Sequence, residues 1–561
     1  VPIFSLASAG TAAKSMKKLT KPAEPVTSTA RLAREVTPPR VSCADVDVDS
    51  VTHVSSPARN PTLAVIFLGI LAGLQLIDPA VANTAIVEAG KSLNMTGSIL
   101  ALAASISTLA LAATVLPMGL LADRIGRRKV LAASLILAII GDVIVAISPI
   151  TAGYLAGRAI AGVGVGAALA ASFAYIRFVA PPGKVAASLG LWNLGMVGFF
   201  IAGSLVGGQL ATIDWRLAML LVPALAAVCL VLVPIVLPAM PKVSGARPDY
   251  LGMFVIALAM ISFLMGISQA SSGIRTAGFL IPTIAGLILF AAYYWIERKV
   301  ANPIFPPTLF ASGIFAAAVV SGVAWNFAQA SVQLQTSNFW QYVQGFTPGE
   351  VAIAQVAMMV SFAGAGVIVG RIMKPGRRSI TLMGIGFIGL SGGLLLLAFV
   401  VAGTPYWMMA IMLFIFGVGL AFVSVPQSAL FVAEAPADSF GPVTSFRTTV
   451  GQIGYAMGFA VSAALVNSFG ANNLIGRLYE AGVPTSQLGQ GLDDVRLFMA
   501  NGQDPSGQLA TEAIADLGPA YAAGFNWAMG ISGVAVGMLG VITVLLLVIG
   551  LKQDKERSAT P

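Results

Sequence analysis

Two apolar runs, Ser98 to Pro117 and Val130 to Ile147, flank the stretch Gly119-Leu120-Leu121-Ala122-Asp123-Arg124-Ile125-Gly126-Arg127-Arg128-Lys129, and this arrangement limits the fold more than any other feature. Each run is about the 20 residues that a helix needs to cross the hydrocarbon core of a bilayer. Charge this dense is costly inside a membrane, so the stretch must lie at a membrane surface. Arg124, Arg127, Arg128 and Lys129 assign that surface to the cytoplasmic side by the positive-inside rule. Gly119 and Gly126 let two helix ends approach, and Asp123 stands at a helix end within reach of Arg124, Arg127 and Arg128. A simple topogenic anchor and a conformational latch both fit.

The same alternation continues along the chain. With 57% hydrophobic residues, 10% charged residues and a mean hydropathy of +0.88, the sequence reads as an all-α polytopic membrane protein. A net charge of +9 would point to nucleic acid in a soluble chain. Here its placement matters more. With fourteen spans and both termini inside, only Lys91, Arg216, Arg275, Arg477 and Arg496 of the 32 Lys and Arg residues fall outside, and Arg158 alone falls within a span. Such asymmetry satisfies the orientation rule and leaves no role for nucleic acid. Cys43 lies in the N-terminal tail and Cys229 in an apolar run, so no disulfide framework is expected. The single histidine, His53, is also in the tail and cannot serve a proton relay. No nucleotide-binding loop and no Cys or His cluster is evident, so no metal and no cofactor are expected. Residues 1–61 read as a disordered cytoplasmic tail, rich in Ser, Thr, Pro and charge.

Three charges fall inside apolar runs, where each costs a few kcal/mol and usually serves function. Asp78 precedes Pro79 in the first span; Pro79 cannot donate to the carbonyl of Gln75, which leaves an acceptor on the Asp78 face. The pair suits a proton, a water or a cation; a kinked structural Asp is the plainer reading. Arg158 lies in the fourth span, at a depth close to that of Asp78, and an unpaired charge there would be expensive, so the two are expected to meet. Asp142, in the third span, is either a structural partner or a second protonation site.

Several stretches carry a family resemblance. The segment Gly119 to Arg128 resembles the loop between the second and third helices of the major facilitator superfamily, where it latches the two halves. Asp78 with Asn83 and Ala85 is similar to the first-helix motif of the drug:proton antiporter branch, although Ala82 departs from it. The segment around Gly157-Arg158 resembles the antiporter motif of the fourth helix, with Ala161 in place of a glutamine. Gly203-Ser204-Leu205-Val206-Gly207-Gly208 resembles the glycine signature of the fifth, with Ser204 in place of proline, followed by Trp215-Arg216. Asp249 to Gly252 and Tyr294 to Pro303 look like the insertion of the fourteen-helix antiporters of the EmrB/QacA type.

The resemblance implies an N-terminal six-helix bundle at 62–240, two inserted central helices at 241–305, a C-terminal six-helix bundle at 306–551 and a cytoplasmic tail at 552–561. The polar stretch 467–521 is expected as an extracytoplasmic loop, a spacer or a lid, with amphipathic turns at Leu474 to Ala481 and Val495 to Ala500. Substrate is expected between the halves near the midplane. Trp325, Gln329 and Gln333 recur every four residues and share a face, lining a cavity or joining helices; Gln75, Met358 and Gln427 complete the cavity candidates. The implied activity is export of an amphiphilic or cationic drug-like molecule in exchange for protons, by a monomer in a bacterial cytoplasmic membrane. Asp78, Arg158 and Asp142 would couple protons, and Gly119, Asp123, Arg124, Gly126, Arg127, Arg128, Gly203, Gly207 and Gly208 would gate. Export of a lipid, siderophore, amino acid or other natural product, and a non-transporting receptor or scaffold, are the alternatives.

Overall fold

Asn60 opens the first helix: its Oδ1 accepts the Leu63 N–H at 3.2 Å, and Pro61 takes the first helical position, where no N–H is required. This computed structural model describes residues 60–559 except 96, 182–184, 240–249, 271–272, 274, 301–311, 374–376, 435–439 and 491–513. The helices are α1 (Pro61–Ser92), α2 (Gly97–Ile125), α3 (Arg127–Ile147), α4 (Thr151–Val179), α5 (Val185–Ile213), α6 (Trp215–Met219), α7 (Leu221–Val236), α8 (Tyr250–Ser268) and α9 (Ala277–Glu297). They continue with α10 (Gly313–Val343), α11 (Pro348–Ala354), α12 (Val356–Ile372), α13 (Arg377–Leu397), α14 (Tyr406–Glu434), α15 (Phe440–Glu480) and α16 (Leu517–Ala559). No strand occurs among the described residues. Among the described residues thirteen segments are long and apolar enough to cross a membrane, α6 with α7 and α11 with α12 each forming one. The 29-residue α2, with its apolar stretch Leu102–Val115, joins them.

Hydrophobic burial concentrates in separate clusters. One runs from Ala64 to Leu237 and draws on α1, α3, α4, α5 and α7; another runs from Ile314 to Leu547 and draws on α10 to α16. The hairpin α8–α9 is peripheral: Met260 and Leu264 pack with Leu109 and Ala113 of α2 and Ala456 of α15, while most of α9 stays exposed as a lipid-facing helix should.

The stretch 467–521 departs from the expected loop. α15 continues to Glu480 and α16 begins at Leu517, before the expected Ala522, and extends to Ala559, into the expected tail. Polarity suggested a loop, but Leu474 and Leu478 lie four apart on one face and bury with Val483, Leu517 and Ala520. Arg477 adds bonds to Asn473 at 2.9 Å and Asp516 at 3.4 Å. The turn expected at Val495 to Ala500 lies outside the described residues, as do the tail residues 1–59.

Without a hydrophobic drive between helices in lipid, close packing relies on small residues. A β-carbon at Gly141 of α3 would collide with the Ala161 backbone of α4, and one at Gly157 would lie 2.6 Å from the Gly141 carbonyl oxygen. One at Gly162 would collide with Ser107 of α2. These contacts hold α2, α3 and α4 backbone to backbone, and Asp142 and Arg158 each directly follow a seam glycine.

Gly141→Val should therefore wedge α3 from α4, costing about 1–3 kcal/mol. Gly190→Ala, which meets open space on α5, is the control and should leave stability unchanged or slightly raised. Thermal unfolding of the purified protein in detergent is the check: a clear fall in Tm for the first variant alone is expected.

Candidate functional site

The seam glycines deliver three buried charges to one point. Asp78 of α1, Asp142 of α3 and Arg158 of α4 are each no more than 2% exposed. Arg158 donates from Nη1 to Asp78 Oδ1 at 2.5 Å and from Nη2 to Asp78 Oδ2 at 3.0 Å, a two-pronged pair of the kind guanidinium geometry favours. Its Nη1 also donates to Asp142 Oδ1 at 3.1 Å. Ser107 of α2 donates to Asp78 Oδ2 at 2.7 Å. All four oxygens of the acids are thus placed but one: Asp142 Oδ2 is buried with no hydrogen-bond partner among the described residues, as is Arg158 Nε. One guanidinium faces two carboxylates, so the cluster carries a net charge of −1 unless one acid holds a proton. Burial of an uncompensated charge costs several kcal/mol after relaxation. The cluster therefore holds one more acid than it has cation to balance.

The sequence-derived pairing of Asp78 with Arg158 is present. Ser107 was missed; its signal is a run of small hydroxylated residues, Ser105, Ser107 and Thr108, in an otherwise apolar helix. Arg447 of α15 was also missed as an intramembrane charge; its Nη2 donates to Ser428 Oγ of α14 at 2.5 Å.

The gating candidates divide. Gly119, Asp123 and Arg124 lie in the last two turns of α2, and the side chains of Asp123 and Arg124 are outside the described residues. Gly126 joins α2 to α3 with φ +106°, a backbone conformation that favours glycine. Arg127 is buried with its guanidinium 5.1 Å from the Phe178 ring, while Arg128 is half-buried. On α5, Gly203 and Gly207 accommodate Ile77 and Val81 of α1. Gly208 points elsewhere: a β-carbon there would lie 2.5 Å from that of Ala352 on α11. Gly349 N–H donates to Thr212 Oγ1 at 3.0 Å, so α5 and α11 are sealed together at the end of the array that holds Ser92 and Ile213.

Between the helix midpoints lies a cavity of about 20 Å³, lined by Leu76, Val197, Phe200, Gln329, Met358, Met359, Phe362 and Leu420. That is room for about one water. Of the cavity candidates, Gln329 and Met358 line it. Gln75 is buried on α1, and Leu76 beside it supplies the wall instead. Gln333 is tied up: its Oε1 accepts from Tyr455 OH at 2.5 Å and its carbonyl from Gln355 Nε2 at 3.0 Å. Trp325 and Gln427 lie off the cavity toward the Pro61 end, on the same helix faces as Gln329 and Leu420 respectively. No cluster of potential metal ligands occurs among the described residues.

Comparison with known proteins agrees with this all-helical fold. An uncharacterized MFS-type transporter of Mycobacterium tuberculosis is 26% identical over 447 residues; the match covers 77% of this chain and only 63% of that relative's length. A methylenomycin A resistance protein of Streptomyces coelicolor is 25% identical, over 76% of this chain and 89% of its own. Among solved structures, a bacterial homolog of the human lysosomal transporter Spinster, in an inward-facing and unoccupied conformation, aligns with a TM-score of 0.60 at 15% identity, covering 88% of this chain and 98% of its own. The family model described as Major Facilitator Superfamily matches residues 64–459, from the start of α1 well into α15, and the chain belongs to that superfamily.

Proposed function

We propose that this protein is a proton-coupled antiporter of the fourteen-helix drug:proton branch, exporting amphiphilic drug-like small molecules across a bacterial cytoplasmic membrane, as a monomer with both termini inside. The carrying observation is the buried cluster in which Arg158 is shared by Asp78 and Asp142 and one carboxylate oxygen lacks a partner. Both oxygens of Asp78 are already engaged, so the proton belongs on Asp142 Oδ2 in this arrangement, where it leaves the Asp78–Arg158 pair intact. Loss of that proton leaves a buried charge of −1. Arg158 then has equal reason to turn to either acid, and α1, α3 and α4, which carry the three groups, gain a reason to shift. Substrate binding from inside accompanies the deprotonated state; release outside lets the proton return and resets the carrier. One charge crossing 100 mV supplies about 2.3 kcal/mol. The resistance role printed for the Streptomyces coelicolor relative supports export as the direction.

The test is proton release from purified, weakly buffered protein on titration with a panel of amphiphiles. About one proton per bound molecule is expected from the wild type, and none from Asp142→Asn, which mimics the protonated acid. Asp78→Asn should also abolish release, because Arg158 is then free to pair fully with Asp142. Binding without release in the wild type, or release unchanged in both variants, contradicts the reading. Arg158→Gln should lower Tm more than either Asp→Asn change, since it leaves two buried carboxylates without a cation, a loss of about 3–5 kcal/mol.

A further inference from the structure

The cluster that handles the proton is walled off from the cavity that would hold the cargo, and the cavity's own polar groups are uncharged. None of the residues lining the midplane cavity carries a charge, and α10, which supplies its central amide, has no charged residue along its 31 positions. The acids that would attract a cation are Asp78 and Asp142, and both are bonded to Arg158 behind the α1 surface, where Leu76 faces the cavity.

What the cavity side does offer is a strip of unfilled neutral hydrogen-bonding groups. Gln329 sits at the cavity; one turn toward the Pro61 end, Trp325 presents a buried indole Nε1 with no acceptor. About a turn further, Gly322 lacks the β-carbon that would lie 2.7 Å from Gln427 Nε2, which admits the Gln427 amide against α10. The Gln427 amide donates from Nε2 to the Ala318 carbonyl at 3.4 Å, but its Oε1 has no donor, although the residue is only 1% exposed. Leaving such groups unpaired costs about 1–3 kcal/mol each. By contrast, Gln333 and Gln335, in the next turns of α10 toward the Ser92 end, are satisfied by Tyr455, Ser462 and Tyr521. Trp340, near the Ser92 end of α10, also has an unfilled Nε1, but its ring is packed against Phe346 and Tyr406 and does not line the cavity.

We propose that the strip formed by Gln329, Trp325 and Gln427, below the apolar cavity, is the recognition site for a cargo that is uncharged when bound: an amphiphile with apolar rings, a carbonyl or ether oxygen to accept from Trp325, and a hydroxyl to donate to the glutamine oxygens. The site rests on the transport reading above but not on its proton step. A neutral cargo exchanged for a proton moves net charge, so membrane potential as well as the pH gradient would drive export.

Three diaryl ketones of one frame test this: neutral 4-(hydroxymethyl)benzophenone, cationic 4-(trimethylammonio)benzophenone and anionic 4-benzoylbenzoate, titrated into the purified full-length protein, with photolabelling to locate each. The neutral ketone should bind about tenfold more tightly than either ionic sibling and label α10 or α14. Gln427→Leu and Trp325→Phe should each weaken it by about three- to tenfold, the range of one neutral hydrogen bond, with Tm unchanged. Equal or tighter binding of the cation, binding by none of the three, or full affinity in both variants overturns the proposal. Proton release recorded in the same titration separates the two readings. Neutral binding without release overturns the coupling step and leaves this site; release evoked by the cation alone overturns this site and leaves the coupling step.

Discussion

A guanidinium at 1% exposure among apolar helices is the constraint to which the first five helices are fitted. Transfer of such an ion from water carries an effective penalty of several kcal/mol, which is recovered only through well-made bonds to opposite charge. Arg158 makes three of these, to acids on two other helices, and so ties α1, α3 and α4 at one depth. The glycines at 141, 157 and 162 are the complement of that requirement, because side chains at those positions would hold the backbones too far apart for the bonds to form. The packing and the charge cluster are one design: the seam sets the distance, and the ions supply what lipid cannot, a specific attraction between helices.

The arrangement also separates tasks. The Asp78–Arg158–Asp142 cluster lies in the first half of the chain, enclosed, with one more acid than cation. The second half, from α10 onward, supplies amides, an indole and methionines around the central cavity, and Met358 and Met359 give it a wall that adapts to shape. α5 connects the two: Gly203 and Gly207 seat it on α1, and Gly208 seats it on α11 across the divide. Under the proposed coupling, a shift of α1 would be passed through α5 to its seal with α11 by direct contact.

Much of this was legible in the sequence, for a physical reason. In an apolar run a charge is so costly that its presence announces itself, and equal depth along two helices was enough to pair Asp78 with Arg158. Helix number followed from run length and charge spacing in the same way. The missed parts are those that depend on which faces meet. Asp142 could be named but not paired, because nothing in the sequence tells which side of α3 faces α4; the Gly141–Gly157 contact sets that side, and with it the Asp142–Arg158 bond. Ser107 and Tyr455 are ordinary residues until a neighbour is placed against them. Gln333 shares its periodic face with Gln329, yet one is consumed by Tyr455 and the other faces the cavity, a difference of neighbours rather than of pattern. At 467–521 the turns expected at Leu474 to Ala481 are helical, but average polarity hid that they continue α15 without a break.

The most direct test of the central claim is infrared difference spectroscopy of the purified protein near neutral pH, recorded on ligand addition and again on acidification, for the wild type and Asp142→Asn. A protonated-carboxyl stretch that is present before ligand, disappears on its addition, and is missing from the variant would place the exchangeable proton on Asp142, beside an intact Asp78–Arg158 pair. An unprotonated cluster at neutral pH, or a stretch that persists in Asp142→Asn, would mean that the two carboxylates stay ionised around one guanidinium or that the proton resides elsewhere, and the account of coupling would be wrong.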